Sequence, residues 1–144
     1  MIGAMLLVHA AATLVMVGVI WFVQIVHYPL FAAVPVDGFV AYEARHTNRT
    51  AWVVGPPMVI EGFTALVLVA APPDGASSTL PMIGLGLLGL VTLSTVLVQV
   101  PLHGRLSQRW DPDDAERLVR TNWIRTIGWS ARGVLALTML EMFS

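Results

Sequence analysis

Residues 24–61 read QIVHYPLFAAVPVDGFVAYEARHTNRTAWVVGPPMVIE. The stretch leaves one apolar segment, crosses a short polar link and enters a second apolar segment. It carries His27, His46, Arg45 and Arg49, and it ends on Glu61, a carboxylate set deep in apolar sequence. An echo, QVPLHGRLSQRWDPDDAERLVRTNWIRTIGWSAR, begins at Gln99 and opens the same passage in the second half. Runs this long and unbroken predict helices, since membrane strands alternate over ~10 residues. The expected fold is all-α: an integral membrane four-helix bundle, residues 1–144 forming one domain.

Composition points the same way. The 144 residues are 56% hydrophobic and 12% charged, against about 25% charged in soluble domains. Residues 1–36 and 75–104 contain no Asp, Glu, Lys or Arg, and a spanning helix needs ~20 mostly apolar residues. Four spans are expected, at 4–31, 51–71, 81–103 and 119–142. The first lacks a basic start and reads as a retained helix rather than a cleaved signal. The absence of cysteine excludes disulfides, thiolate metal sites and thiol catalysis. A net charge of −1 gives no reason to expect nucleic acid.

All eight basic residues are arginine. Arg45 and Arg49 lie in the first link; Arg105, Arg109, Arg117 and Arg120 lie in or just past the third. The positive-inside rule then puts links 35–50 and 104–118 in the cytoplasm and both termini outside, in a bacterial inner membrane. Pro72, Pro73, Asp74 and Gly75 predict a tight turn within 72–80. Asp111 before Pro112 predicts a helix N-cap, and Asp37-Gly38 a short helix through Tyr42, Glu43 and His46.

Val23-Gln24 recurs as Val98-Gln99, Asp37 as Asp111, and Thr47-Asn48 as Thr121-Asn122, at offsets of about 75. The pattern reads as two tandem helix–link–helix repeats, 1–71 and 81–144, in parallel sense about an axis along the membrane normal. On that reading Gln24 and Gln99 face one another, with His27 and His103 one turn closer to the cytoplasm.

Polar groups in hydrocarbon face the bundle interior or a wet cavity. The inward stripes expected are Thr92, Thr95, Gln99 and His103 on helix three; Asn122, Arg125, Trp129 and Arg132 on helix four; and Thr50, Pro57, Glu61 and Thr64 on helix two. Glu61 and Arg132 align between IEGFTAL and ARGVLAL and are expected to form a buried ion pair. His27, Glu43, His46 and His103 carry metal-ligand chemistry. Glu43-x-x-His46 has the spacing used in di-iron bundles, but Arg117 and Arg120 occupy the matching places, so a full di-iron set is absent. A mononuclear metal, or a haem held between His27 and His103, remains open, as does plain hydrogen-bonded packing. Trp21, Gln24, Tyr28, Gln99, Asn122 and Trp129 are expected to line the pocket. His9 is expected to lie apart, and Gly84 to Gly89 reads as a packing surface.

His27-Tyr28-Pro29-Leu30 closing helix one, then a basic link and a second helix, resembles the anthrone-oxygenase-like group of small four-helix bacterial membrane proteins. The resemblance implies a membrane-bound oxygenase acting on an apolar aromatic substrate. From the residues themselves the leading expectation is an oxidoreductase with His27, His103 and Arg125 at its catalytic site and a metal or haem. The alternatives are a non-catalytic accessory or scaffold subunit of a membrane complex or homo-oligomer, and a transporter.

Overall fold

Four helices make up the computed structural model, which describes residues 2–73 and 77–143. They are α1 (Ile2–Ala33), α2 (Val36–Ala70) and α3 (Thr79–Leu106), and α4 (Pro112–Phe143). Among the described residues there is no strand. Part of the turn expected at Pro72–Gly75, residues 74–76, lies outside the described residues. α1, α2 and α3 are each long and apolar enough to cross a membrane. The expectation of four such spans is met by three on composition: α4 carries Asp113, Asp114, Glu116, Arg117 and Arg120 in its first turns and Arg125 and Arg132 further along.

The first link is not a separate element. α2 begins at Val36 and runs without interruption to Ala70. Pro35 holds the extended conformation before it, Asp37 lies in the first turn, and no proline follows until Pro56. Buried Phe39 and Glu43 anchor these early turns to the rest of the molecule. α4 starts at Pro112, where Asp111 Oδ1 accepts from the backbone N–H groups of Asp113 and Asp114 at 3.1 and 3.2 Å. That cap satisfies two of the donors a helix start leaves open.

Two wide π-turns interrupt α1 and α3, at Val23–His27 and Thr95–Gln99. Each lies just before a proline, Pro29 or Pro101. A proline inside a helix has no N–H to donate and its ring crowds the carbonyl four residues back. The wide turn moves the carbonyl partner: Tyr28 N–H bonds Val23 O at 3.0 Å, one residue further back than in an α-helix. The extra residue turns everything after it by about 100° relative to a regular helix. This sets the direction of Tyr28 and His103.

α1 packs on α2 and α4, and α3 packs on the same two. Three apolar layers follow one another along the axis. Leu6, Leu68 and Met139 form one; Met16, Ile20, Val91 and Trp129 the next; Phe31, Phe39, Leu102, Leu106 and Leu118 the last. Gly128 lets α4 approach α3, since a Cβ there would lie 2.4 Å from Val91 Cγ1. The outer faces expose Val53, Val59, Phe63, Leu97, Ile127 and Val134. So large an apolar surface calls for lipid rather than water.

Candidate metal centre and flanking cavities

Between the apolar layers lie two polar clusters. The first is at mid-length. Arg132 donates from Nε at 2.8 Å and from Nη2 at 2.5 Å to Glu61 Oε1, and from Nη1 to Gly84 O. Thr13 Oγ1 donates to the same Glu61 oxygen at 2.8 Å. Trp129 covers the guanidinium, with Cζ 5.7 Å from the ring centroid. Gly84 makes room: a Cβ there would stand 3.8 Å from Arg132 Nη1 and 3.2 Å from Leu135 Cδ2. His9 is buried beside this cluster and bonds Thr64 Oγ1 at 2.7 Å, away from the other histidines.

The second cluster gathers the remaining three histidines where α1, α2 and α3 meet. Glu43 is fully buried. Its Oε1 accepts from His103 Nδ1 at 2.5 Å, and its Oε2 has no partner among the described residues. In the neutral tautomer that donates to Glu43, His103 Nε2 accepts from the Tyr28 hydroxyl at 2.8 Å. His46 stands between the other two imidazoles, with ring centroids 4.5 Å from His27 and 5.3 Å from His103. His27 Nε2 bonds His46 Nδ1 at 2.7 Å, and Thr50 Oγ1 approaches that nitrogen at 3.2 Å. Phe31 lies edge-on to His27, His46 and His103 at once. Glu43, His46 and His103 each present a ligand atom within 4.8 Å of the other two.

Two cavities flank this cluster, and His46 and Thr50 line both. The larger, about 690 Å³, lies between α1 and α2 and is bordered by Gly18, Phe22, Val53, His27, Arg45 and Arg49. The smaller, about 400 Å³, is bordered by Tyr28, His103, Gln99, Thr95 and Arg125. Gln99 Oε1 and Arg125 Nε, both buried, have no partner among the described residues.

The sequence-expected residues thus separate. His27, Tyr28, Glu43, His46, Gln99, His103 and Arg125 come together at the second cluster, and Glu61 and Arg132 meet at the first. Gln24 does not face Gln99. Its Oε1 accepts from Asn122 Nδ2 at 2.9 Å and Thr126 Oγ1 at 3.2 Å, and its Nε2 donates to Val119 O at 3.2 Å. Gln99 instead donates to Thr121 Oγ1 at 3.1 Å. Gln24 and Asn122 therefore lock α1 to α4 and border neither cavity. Trp21 is 42% exposed, donating to Ser130 Oγ and stacking edge-on against Trp123. Trp129 is buried in the middle apolar layer. Thr92 points outward, and Ser94 is the buried hydroxyl of that turn. A haem between His27 and His103 has no room, because the His46 ring occupies that space.

Thr50 belongs to the expected inward stripe of helix two, but its approach to His46 and the packing of Phe31 against the three imidazoles escaped the sequence reading. The i, i+4 relation of His46 to Thr50 was the available signal. Comparison with protein-family models, with curated proteins and with solved structures finds no match for this chain.

Proposed function

We propose that this chain is a small membrane oxidoreductase that holds one first-row transition-metal ion on Glu43, His46 and His103 and oxidises an apolar substrate with dioxygen. The observation that carries the reading is the donor set itself. Two imidazoles and one carboxylate converge within 4.8 Å, and the carboxylate is buried with one oxygen unpartnered. Two histidines with one carboxylate and open positions is the arrangement of non-haem iron oxygenases. A bound ion would supply the activation of dioxygen. Oxidation of a methylene to a carbonyl balances on dioxygen alone, with one oxygen atom in the product and the other in water.

The chain's own residues divide the remaining work. His27 faces the larger cavity and hydrogen-bonds His46, so it can take a proton from a substrate lying there. Arg125 borders the smaller cavity, where its guanidinium can hold a substrate oxygen. Tyr28 fixes the orientation of His103, as outer-shell partners of ligating histidines do. The Phe31 and Phe39 wall excludes water from one side.

In this reading α4 also spans the bilayer, its mid-length Arg132 neutralised by Glu61, and the four helices form a bundle. The histidine cluster lies at the cytoplasmic end, with both termini outside; the arginines at 45, 49, 105, 109 and 117 support that orientation. The π-turn before a proline in both α1 and α3 supports duplication of a helix–link–helix unit. Elemental analysis of the purified protein tests the proposal. About one equivalent of iron, copper or manganese is expected, lost in Glu43→Gln and His46→Asn. No bound metal after reconstitution would favour the alternative, a non-catalytic accessory subunit.

A further inference from the structure

The larger cavity combines two features that a purely apolar ligand would not use together. Its floor is apolar: Gly18, Phe22 and Val53 border it, and a Cβ added at Gly18 would meet nothing within 4 Å. Its other border carries Arg45 and Arg49. Four residues apart on α2, they lie one turn from each other on one face. Neither pairs with a carboxylate among the described residues. From Gly18 to His27 the cavity follows nine residues of α1, about 13 Å at the helical rise.

We infer that this cavity binds an amphiphilic acid, with its apolar body along Gly18, Phe22 and Val53 and its carboxylate or phosphate between Arg45 and Arg49. Guanidinium forks match planar and tetrahedral oxyanions through paired N–H donors. A neutral ligand would leave both forks unpaired, and an amphiphilic cation would be repelled by them. The occupant is a free acid of one apolar body, since a volume of about 690 Å³ lies in the range of small-molecule sites. As the substrate of the oxidation proposed above, the inference rests on that reading; as a binding site, it needs neither metal nor turnover.

The test uses the full chain in phosphatidylcholine nanodiscs with chelator present, titrated with the fluorescent fatty acid parinarate and separately with parinarate methyl ester, against empty nanodiscs. The acid should bind the protein more tightly than the ester. Arg45→Gln with Arg49→Gln should weaken the acid about tenfold, equivalent to ~1.4 kcal/mol, and leave the ester unchanged. Gly18→Leu, which fills the floor, should weaken both. Equal binding of acid and ester by the wild type, or undiminished acid binding by the double arginine variant, would overturn the inference. Displacement of the acid by equimolar phosphatidylglycerol would overturn it too, assigning the arginines to lipid headgroups. Metal content separates this from the enzyme reading. A protein that binds metal but not the acid retains the centre and loses this ligand class; one that binds the acid without metal does the reverse.

Discussion

Glu61 and Glu43 are both fully buried on α2, both accept through Oε1, and both leave Oε2 without a partner. They differ in what faces them. Neither carboxylate borders a cavity, but Glu61 meets a guanidinium, whose charge is permanent, plus a threonine hydroxyl, and these partners border none either. Glu43 meets the His103 imidazole, a ring with two possible ligand nitrogens that lines the smaller cavity. A carboxylate closed by a fixed cation holds helices together. A carboxylate closed by an imidazole can yield that contact to a metal ion, the ring proton moving to its other nitrogen.

The largest effect should come from breaking the closed pair. Arg132→Gln or Glu61→Gln alone should destabilise by ~3–5 kcal/mol, because each leaves a buried charge or a set of buried donors uncompensated. The double variant should recover part of that loss. Denaturation in mild detergent measures it, and strictly additive losses would remove the pair from the account. Glu43→Gln should behave differently, losing ~1 kcal/mol as a charge-assisted hydrogen bond becomes a neutral one while abolishing metal binding. Equal destabilisation at both sites would erase the distinction between them.

The apolar layer of Met16, Ile20, Val91 and Trp129 separates the two clusters. Gly128→Ala puts a methyl against Val91 and should cost ~1–3 kcal/mol through overpacking, with Val91→Ala restoring part of it. The same stability in Gly128→Ala would mean that α3 and α4 do not approach this closely.

The smallest effect belongs to the surface. Arg105 clasps Asp114 through two hydrogen bonds of 2.8 and 2.9 Å. The Arg105 hydrogen bond, aided by its charge, holds the Asp114 carboxyl below its ordinary value. A depressed folded pKa means that this contribution is present above the unfolded value, near 3.9, and fades as pH falls through the folded one. Asp114→Asn should therefore change stability slightly at neutral pH and not at all in strong acid. A salt-independent effect would argue against the exposed pair.

Much of this layout was legible because cost reveals placement. Charges are rare in the apolar runs, so Glu61 and Arg132 needed each other, and alignment of their surroundings indicated matching depth. Asp111-Pro112 is a helix start by local chemistry alone. His27, Glu43, His46 and His103 stood out as the ligand-type groups near one end. The rest depends on rotations that composition does not record. The wide turns before Pro29 and Pro101 shift the register by one residue. Tyr28, which follows the first of them, therefore reaches His103, while Gln24 bonds α4 and Trp21, ahead of the turn, faces outward. The first link reads as polar, yet Phe39 and Glu43 bury their shared face, so α2 continues through it. His46 therefore comes to stand between His27 and His103, which removes the space for a haem.

The decisive measurement is titration of the metal-free protein with cobalt(II), following the visible ligand-field bands. Saturation at one ion per chain is expected, the Glu43–His103 hydrogen bond giving way to ligation while the ring proton shifts to the nitrogen facing Tyr28. These bands should vanish in Glu43→Gln. No bands in the wild type, or the same bands in Glu43→Gln, would contradict the metal centre.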